Sequence, residues 1–232
     1  MPASVRAVST ATPSTGSSSA NKPSGTLQGD ILLAFHSVDD GALTDMGTPT
    51  GGATWLSLAT RQAGTGYDNK TKVWWKVAGA SEPSTYTFTQ NSSGDGCIAI
   101  ACVMDADTAV TPVVAQTGND TASTTVPTPG ITPTRSDDLE LRWASGNPDA
   151  TATSWTSPAG YTEVADVTGG NQTGSLAYKQ LTSNAATGSL NFTATISLQF
   201  RQGFTVAVAS ILVPVVHRPV YGTTAVHRAA NW

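Results

Sequence analysis

Apolar positions along this chain fall into short runs, and the most distinctive run occurs twice. Residues 29–35 (GDILLAF) return about 108 residues later as residues 137–143 (DDLELRW). Both runs begin with turn-forming residues and have the length of a β-strand. The chain therefore contains an internal repeat that is organised around two equivalent strands.

Further pairs of segments occur in the same order around these two strands. A leading strand opens each copy, an aromatic residue after a turn starts a later strand, and each copy closes on a run that is apolar on both faces, as in a central strand. The paired segments are residues 4–9 and 112–117, 52–58 and 158–164, 71–77 and 175–179, and 97–103 and 204–211. Because turn residues separate about six short strands per copy and helical periodicity is missing, the pattern predicts an all-β, jelly-roll-like sandwich built from two pseudo-repeated halves.

These repeats divide the chain into three parts. We expect a first β-repeat in residues 1–107, a second β-repeat in residues 108–215 and a short C-terminal docking tail in residues 216–232. The pattern leaves open whether the copies form two small sandwiches or one. We favour a single merged body, because each copy alone offers little core.

Alternation in residues 71–77 (TKVWWKV) assigns their side chains to two faces. A period of two directs Trp75 inward and three neighbours outward, Lys72, Trp74 and Lys76. An exposed tryptophan between lysines is typical of a contact with a sugar ring or with another subunit. A register slip of one residue would bury Trp74 instead, but Trp75 has the aromatic counterpart Tyr178. We therefore predict a surface contact at Lys72, Trp74 and Lys76.

Composition and charge narrow the classes of function. The net charge is -4 and no run of Lys or Arg could neutralise several phosphates, so we expect no nucleic-acid partner. Apolar residues reach 39% and cluster, which argues against disorder. No stretch near residue 1 resembles a secretory signal, and the longest apolar stretch, residues 204–216, is shorter than the ~20 residues of a membrane helix. We expect synthesis in a cytoplasm without a signal peptide, and no membrane partner.

Candidate chemistry is sparse. Any Ser/His/Asp or Cys/His arrangement would have to use His36, which we interpret as a structural strand histidine. Asp30 and Asp138 open the two organising strands, where acidic residues usually form turns rather than a calcium loop. Cys97 and Cys102 lie roughly 16 Å apart on opposite faces of one strand, too far for a disulfide. We predict no catalytic residue, no cofactor and no metal site.

The last segment, VHRPVYGTTAVHRAANW, has no place in the repeat. It contains two Val-His-Arg triplets and no acidic residue. Most chain ends are disordered, yet aromatic residues and Arg are enriched at protein interfaces. We predict that this tail docks on a partner through Arg218, Tyr221, Arg228 and Trp232.

The same residues also resemble a known family. The succession GDILLA at residues 29–34, Thr-Trp at 54–55 and WWKVAGASEPSTYTF at 74–88 is similar to a β-sandwich family of phage structural proteins. Members are particularly minor tail, decoration-type and other virion-surface proteins of phages of actinobacteria, and some are secreted bacterial proteins.

The resemblance covers residues 25–105 well and residues 130–213 more loosely. The second copy lacks the Ser-Glu-Pro segment and carries Glu140 and Arg142 in its organising strand. These two charged residues predict that the strand has one wet face.

The resemblance implies a non-enzymatic phage virion structural protein, either a minor tail or a capsid decoration protein. Such a protein would be displayed on the virion surface, as a homo-oligomer or in several copies, and anchored to other virion proteins, the tail or capsid subunits. The missing export signal favours release by host lysis over secretion. Two alternatives stay open: a carbohydrate-binding module that attaches to host surface glycans through Trp74 and, with less support, a sandwich-fold hydrolase.

Overall fold

The computed structural model describes six stretches of the chain, residues 1–14, 16–39, 42–63, 69–90, 94–148 and 153–212. Nearly all regular structure in these stretches is β-strand, and their helical content is one 3₁₀ turn at Leu43–Asp45. None of their helical structure is long and apolar enough to cross a membrane. The predicted all-β fold class is confirmed.

The first half of the chain forms one large antiparallel sheet and one small one. Its strands are β1 (Ser4–Ala11), β2 (Ser17–Asn21), β3 (Ile31–Val38), β4 (Leu56–Gln62), β5 (Lys70–Val77), β6 (Thr85–Thr89) and β7 (Gly96–Met104). Five of them form sheet I in the order β1-β7-β3-β5-β4, whereas β2 pairs only with β6. We call the β2–β6 pair cover I.

The second half repeats this arrangement, except that one long strand takes the place of two. Its strands are β8 (Val113–Asn119), β9 (Ser123–Thr128), β10 (Leu139–Pro148), β11 (Trp155–Thr156), β12 (Thr162–Gly169), β13 (Gln172–Gln180) and β14 (Leu190–Val208). The last part of β14 lies between β8 and β10, which gives sheet II the order β8-β14-β10-β13-β12. The first part of β14 pairs with β9 as cover II, so this long strand replaces both β6 and β7.

The two halves share strand order and register. In sheet I Leu33 of β3 pairs with Trp75 of β5, and in sheet II Leu141 pairs with Tyr178 at the equivalent place. The edge strand β1 contacts β12, and the equivalent edge strand β8 contacts β4. Exchanging each strand with its counterpart reproduces these contacts, so a pseudo-two-fold axis parallel to the strands relates the halves.

Four layers of strands enclose three apolar clusters. Sheets I and II face each other across the largest cluster, in which Phe35 stacks on Trp143 with 5.6 Å between ring centroids. The outer face of sheet I packs under cover I, and the outer face of sheet II packs under cover II. Both faces of each large sheet are therefore buried, which explains strands such as β3 and β7 that are apolar on both sides.

The two cysteines occupy different clusters, as the strand geometry predicts. Cys97 faces the cluster between the sheets, whereas Cys102 faces cover I, and neither forms a disulfide. Burial raises the pKa of the Cys97 thiol, and burial likewise raises the pKa of Cys102 to about 12. Both thiols are therefore protonated and unreactive at neutral pH.

Candidate functional site

The tryptophan that we expected on the surface is buried. Trp74 is 4% exposed and packs beneath cover I with Tyr86 and Phe88. The predicted alternation is correct, because Trp75 faces the other half and Trp74 faces away from it. The prediction of exposure is wrong. A side-chain period of two determines which face of the strand a residue lies on, but it does not determine whether another layer covers that face.

The two lysines beside Trp74 are held by the protein itself. Lys72 donates a hydrogen bond of 2.6 Å to the Met46 carbonyl oxygen and lies 5.5 Å from the Trp74 ring centroid. The Lys76 side chain is fully buried. Trp74 and Lys76 are therefore unavailable for the surface contact expected at Lys72, Trp74 and Lys76, and the site has no exposed ring on which a sugar could stack.

Lys76 belongs instead to a buried cluster that we call clamp I, formed with Glu82, Trp55 and Tyr86. Its Nζ donates to Glu82 Oε2 over 2.6 Å and lies 5.0 Å from the Trp55 ring centroid and 4.5 Å from that of Tyr86. Burial acts to raise the pKa of Glu82, but hydrogen bonds from Lys76, the Gly79 amide and Tyr86 outweigh it and hold the pKa below its usual value. Clamp I joins β5 to β6, and so sheet I to cover I.

The second half builds an equivalent cluster from different residues, which we call clamp II. Arg142 is paired with Glu140, 2.5 Å from Nη2 to Oε1, and both side chains are fully buried. Arg142 also donates to the Thr128 and Gly188 carbonyl oxygens and lies 5.3 Å from the Tyr161 ring centroid. The wet face that we expected for β10 is therefore wrong, because cover II buries both charges and its Thr128 accepts hydrogen bonds from Arg142.

The other candidate residues have structural surroundings. His36 is buried in β3 and hydrogen-bonds through Nε2 to Gln90 Oε1 over 3.1 Å. Asp30 and Asp138 accept backbone hydrogen bonds from the turns that precede β3 and β10, from Leu27 and from Thr134. Among the described residues no three His, Cys, Asp or Glu side chains are grouped so that they could hold a metal ion.

Exposed apolar side chains gather at one end of the body. At this end β1, β3, β8 and β10 begin and β7 and β14 finish, and an isolated bridge joins Ala106 to Ser210. We call it the exit face, because the described chain ends there at Leu212. Among the described residues, the exposed large apolar side chains belong to strand starts, turns or chain ends at this face: Met1, Leu27, Leu56, Val113, Ile211 and Leu212.

A pocket of about 380 Å³ opens on the exit face, lined by turns of the first half together with Thr108 and Ile211. Leu27 and Ile211 form apolar walls, and Arg6 and Asp30 form a salt bridge of 2.9 Å at its side. Asp105 also lines the pocket; its backbone is left-handed, with φ of 56°, and its carboxylate makes no hydrogen bond or ion pair within the described part of the chain. The pocket thus combines apolar walls with a carboxylate that no described residue pairs.

Sequence reasoning did not identify the exit face. Leu27 stands alone among turn residues, and Ile211 was expected to end the buried closing strand of residues 204–211. That strand, β14, ends at Val208, so Ile211 and Leu212 are exposed beyond it. The predicted docking residues Arg218, Tyr221, Arg228 and Trp232 lie outside the described residues.

Comparison with known proteins found no matching family model and no significantly similar curated protein or solved structure. Kinship with phage virion proteins stays a prediction from the motifs. The geometry does give part of that resemblance a physical role. Glu82 of the Ser-Glu-Pro segment anchors clamp I, and the second half, which lacks this segment, uses Glu140 and Arg142 instead.

Proposed function

We propose that this chain is a non-enzymatic structural protein of a phage particle, displayed on the virion surface and anchored to neighbouring subunits through its exit face. The observation that carries the proposal is the gathering of exposed apolar side chains at this one end, beside a pocket. Apolar patches of this kind on an otherwise polar surface mark protein contacts.

The use of charge inside the body supports a structural role. The buried ion pairs of clamps I and II each join a large sheet to its cover, and protein atoms occupy their donors and acceptors with the exception of Glu140 Oε2. A protein that displays itself outside a cell benefits from such rigidity. Four strand layers with three apolar clusters provide it.

The carbohydrate-binding alternative has lost the residue on which it rested. Trp74 was to supply the stacking surface, and its ring lies beneath cover I. None of the described aromatic side chains is exposed. Attachment to host glycans is therefore not proposed as a second function.

The proposal is tested on purified particles of a phage that encodes this chain. Mass spectrometry should detect the chain in washed particles, and cryo-electron microscopy should locate a four-layered β body on the tail or head. An Ile211→Asp variant should be incorporated at least about tenfold less well, because a carboxylate would have to be desolvated at the contact.

A matched control places the same charge at the opposite end of the body. Gln62 ends β4, is exposed and lies far from the exit face, so Gln62→Asp should be incorporated like the unaltered chain. Finding the chain only in the unassembled fraction of the lysate would refute the structural role. Equal loss of both variants would refute the role of the exit face.

A further inference from the structure

The pocket on the exit face has the features of a docking site for a peptide segment. Its volume is at the lower end of the range of about 300–1,000 Å³ that is usual for binding pockets. Leu27 and Ile211 give it apolar walls, and Asp105 contributes a carboxylate that no described residue neutralises. Such a pocket fits an aromatic side chain with a cation beside it.

A segment of that chemistry leaves the body next to this pocket. Ile211 lines the pocket, Leu212 is the next residue, and residues 213–232 follow. These twenty residues include Arg218, Tyr221, Arg228 and Trp232 and no Asp or Glu. Their charge and aromatic content complement the apolar walls and the Asp105 carboxylate of the pocket.

We propose that two copies of this chain meet at their exit faces, and that residues 213–232 of each copy bind in the pocket of the other. The inference deepens the proposed function, since it names the surface and the segment through which neighbouring copies hold each other. The contact is isologous and closed, so it produces a dimer rather than a filament.

A dimer in which the copies exchange residues 213–232 covers more exposed apolar side chains than a segment that binds the pocket of its own copy. A segment folded back on its own pocket would cover Leu27 and Ile211 but leave the apolar side chains of Met1, Leu56 and Val113 in water. Two exit faces brought together cover these residues as well. The apolar area removed from water is therefore larger in the dimer, and the hydrophobic contribution grows with that area.

Photo-crosslinking of the full chain tests the position of the segment. Tyr221 is replaced by p-benzoylphenylalanine, and unlabelled and ¹⁵N-labelled chains are mixed, unfolded and refolded together before irradiation. Mass spectrometry of the digest should find the crosslinker attached to peptides that contain Leu27 or Asp105, with one light and one heavy partner. Crosslinks only within one chain, or only to peptides away from the pocket, would overturn the proposal.

Size-exclusion chromatography with light scattering tests the dimer with single variants. Leu27→Asp introduces a charge on a side chain that is 58% exposed, so it should fold normally and weaken the dimer at least about tenfold. Asp105→Asn keeps a residue type that tolerates the left-handed backbone, and it should weaken the dimer by removing the charge. Gln62→Asp should leave the dimer intact. A monomeric full chain, or a dimer that Leu27→Asp does not weaken, contradicts the inference.

Failure of this inference and failure of the proposed function give different results. A dimer that crosslinks as expected but is missing from particles would support the exchange and refute the virion role. Incorporation into particles by a chain that stays monomeric would do the reverse.

Discussion

At the scale of single residues, the buried charges decide how the covers are attached. Lys76 and Glu82 in the first half, and Arg142 and Glu140 in the second, are desolvated. Neighbouring backbone or hydroxyl groups hydrogen-bond to Lys76, Glu82 and Arg142, whereas Glu140 Oε2 is buried without such a partner. A buried ion is tolerated only with such partners, and removing one member exposes the full cost of burying the other.

Clamp I predicts that replacing Lys76 destabilises the protein more than replacing Lys179, its counterpart in the second half. Lys76→Met should lower the free energy of unfolding by about 3–5 kcal/mol, because Glu82 stays buried without its cation. The counterpart of Lys76 in the second half is Lys179, since the two lysines occupy equivalent places in the strand register. The Lys179 side chain is exposed, and its Nζ lies 5.6 Å from the Tyr161 ring centroid. Lys179→Met should therefore cost only about 0.5–1 kcal/mol.

Urea denaturation of both variants and of Lys76→Met combined with Glu82→Gln measures these energies. The double variant should be more stable than Lys76→Met alone, since it removes the unpaired charge. Equal losses for Lys76→Met and Lys179→Met would show that clamp I does not stabilise the body.

His36 predicts a dependence of stability on pH. Burial lowers the pKa of His36 to about 4; the hydrogen bond with Gln90 opposes this effect and the charge of Lys72 adds to it. Phe88 also packs against the ring. Because an unfolded histidine has a pKa near 6.5, the unfolded chain takes up the proton first as the pH falls. The stability that neutral His36 provides is complete above pH 6.5 and is lost as the pH falls from there towards 4.

The measurement compares the unaltered chain with His36→Gln, whose amide can still donate to Gln90. Between pH 6.5 and pH 4 the unaltered chain should lose about 1 kcal/mol more per pH unit than the variant. Parallel stability curves for the two proteins over this range would exclude His36 as the titrating group.

At the scale of elements, strand β13 has to come close to the tryptophan that joins the halves. Trp143 of β10 stacks on Phe35 of β3 and donates its Nε1 hydrogen to Ser37 Oγ over 3.0 Å. Gly174 of β13 makes room for this ring, because a Cβ atom there would lie 2.3 Å from a ring carbon. The spacing of β13 against β10 is therefore set by the absence of a side chain.

Gly174→Ala should displace Trp143 and lower the free energy of unfolding by about 1–3 kcal/mol, the usual cost of overpacking a core. Gly188→Ala is the matched control, because a Cβ atom at Gly188 meets nothing within 4 Å. Thermal and urea unfolding of both variants check the difference. Similar stability of the two variants would mean that the Trp143 ring has another position available.

At the scale of the whole molecule, the halves depend on each other for their core. The central cluster takes residues from both large sheets. A half on its own would expose one complete sheet face to water. Polar side chains at the end of the body opposite the exit face fix the alignment of the halves, since Asn69 donates to Ser145 Oγ and to the Phe200 carbonyl oxygen.

Splitting the chain in the exposed turn after Ala109 tests this dependence. Each half expressed alone should bind a hydrophobic dye and lack cooperative unfolding, whereas the two halves together should form a one-to-one complex that unfolds cooperatively. Native mass spectrometry and dye fluorescence give the two readouts. A half that folds cooperatively by itself would show that each repeat is an independent domain.

The sequence by itself determined the strands, their repeat and their facing. Alternation with a period of two is a local property, so it placed Trp74 and Trp75 on opposite faces and matched Trp75 with Tyr178 correctly. The spacing of Cys97 and Cys102 excluded a disulfide for the same reason.

Only the tertiary structure decided which faces are covered and where the surface is apolar. Cover I is formed in part by Ser17–Asn21, a polar segment in which Ala20 is the buried residue, so no local pattern announces that it packs on Trp74. Arg142 donates to carbonyl oxygens of the distant Thr128 and Gly188, and the exit face combines residues as far apart in the chain as Met1 and Leu212. Burial depends on contacts between residues far apart in sequence, which periodicity does not record.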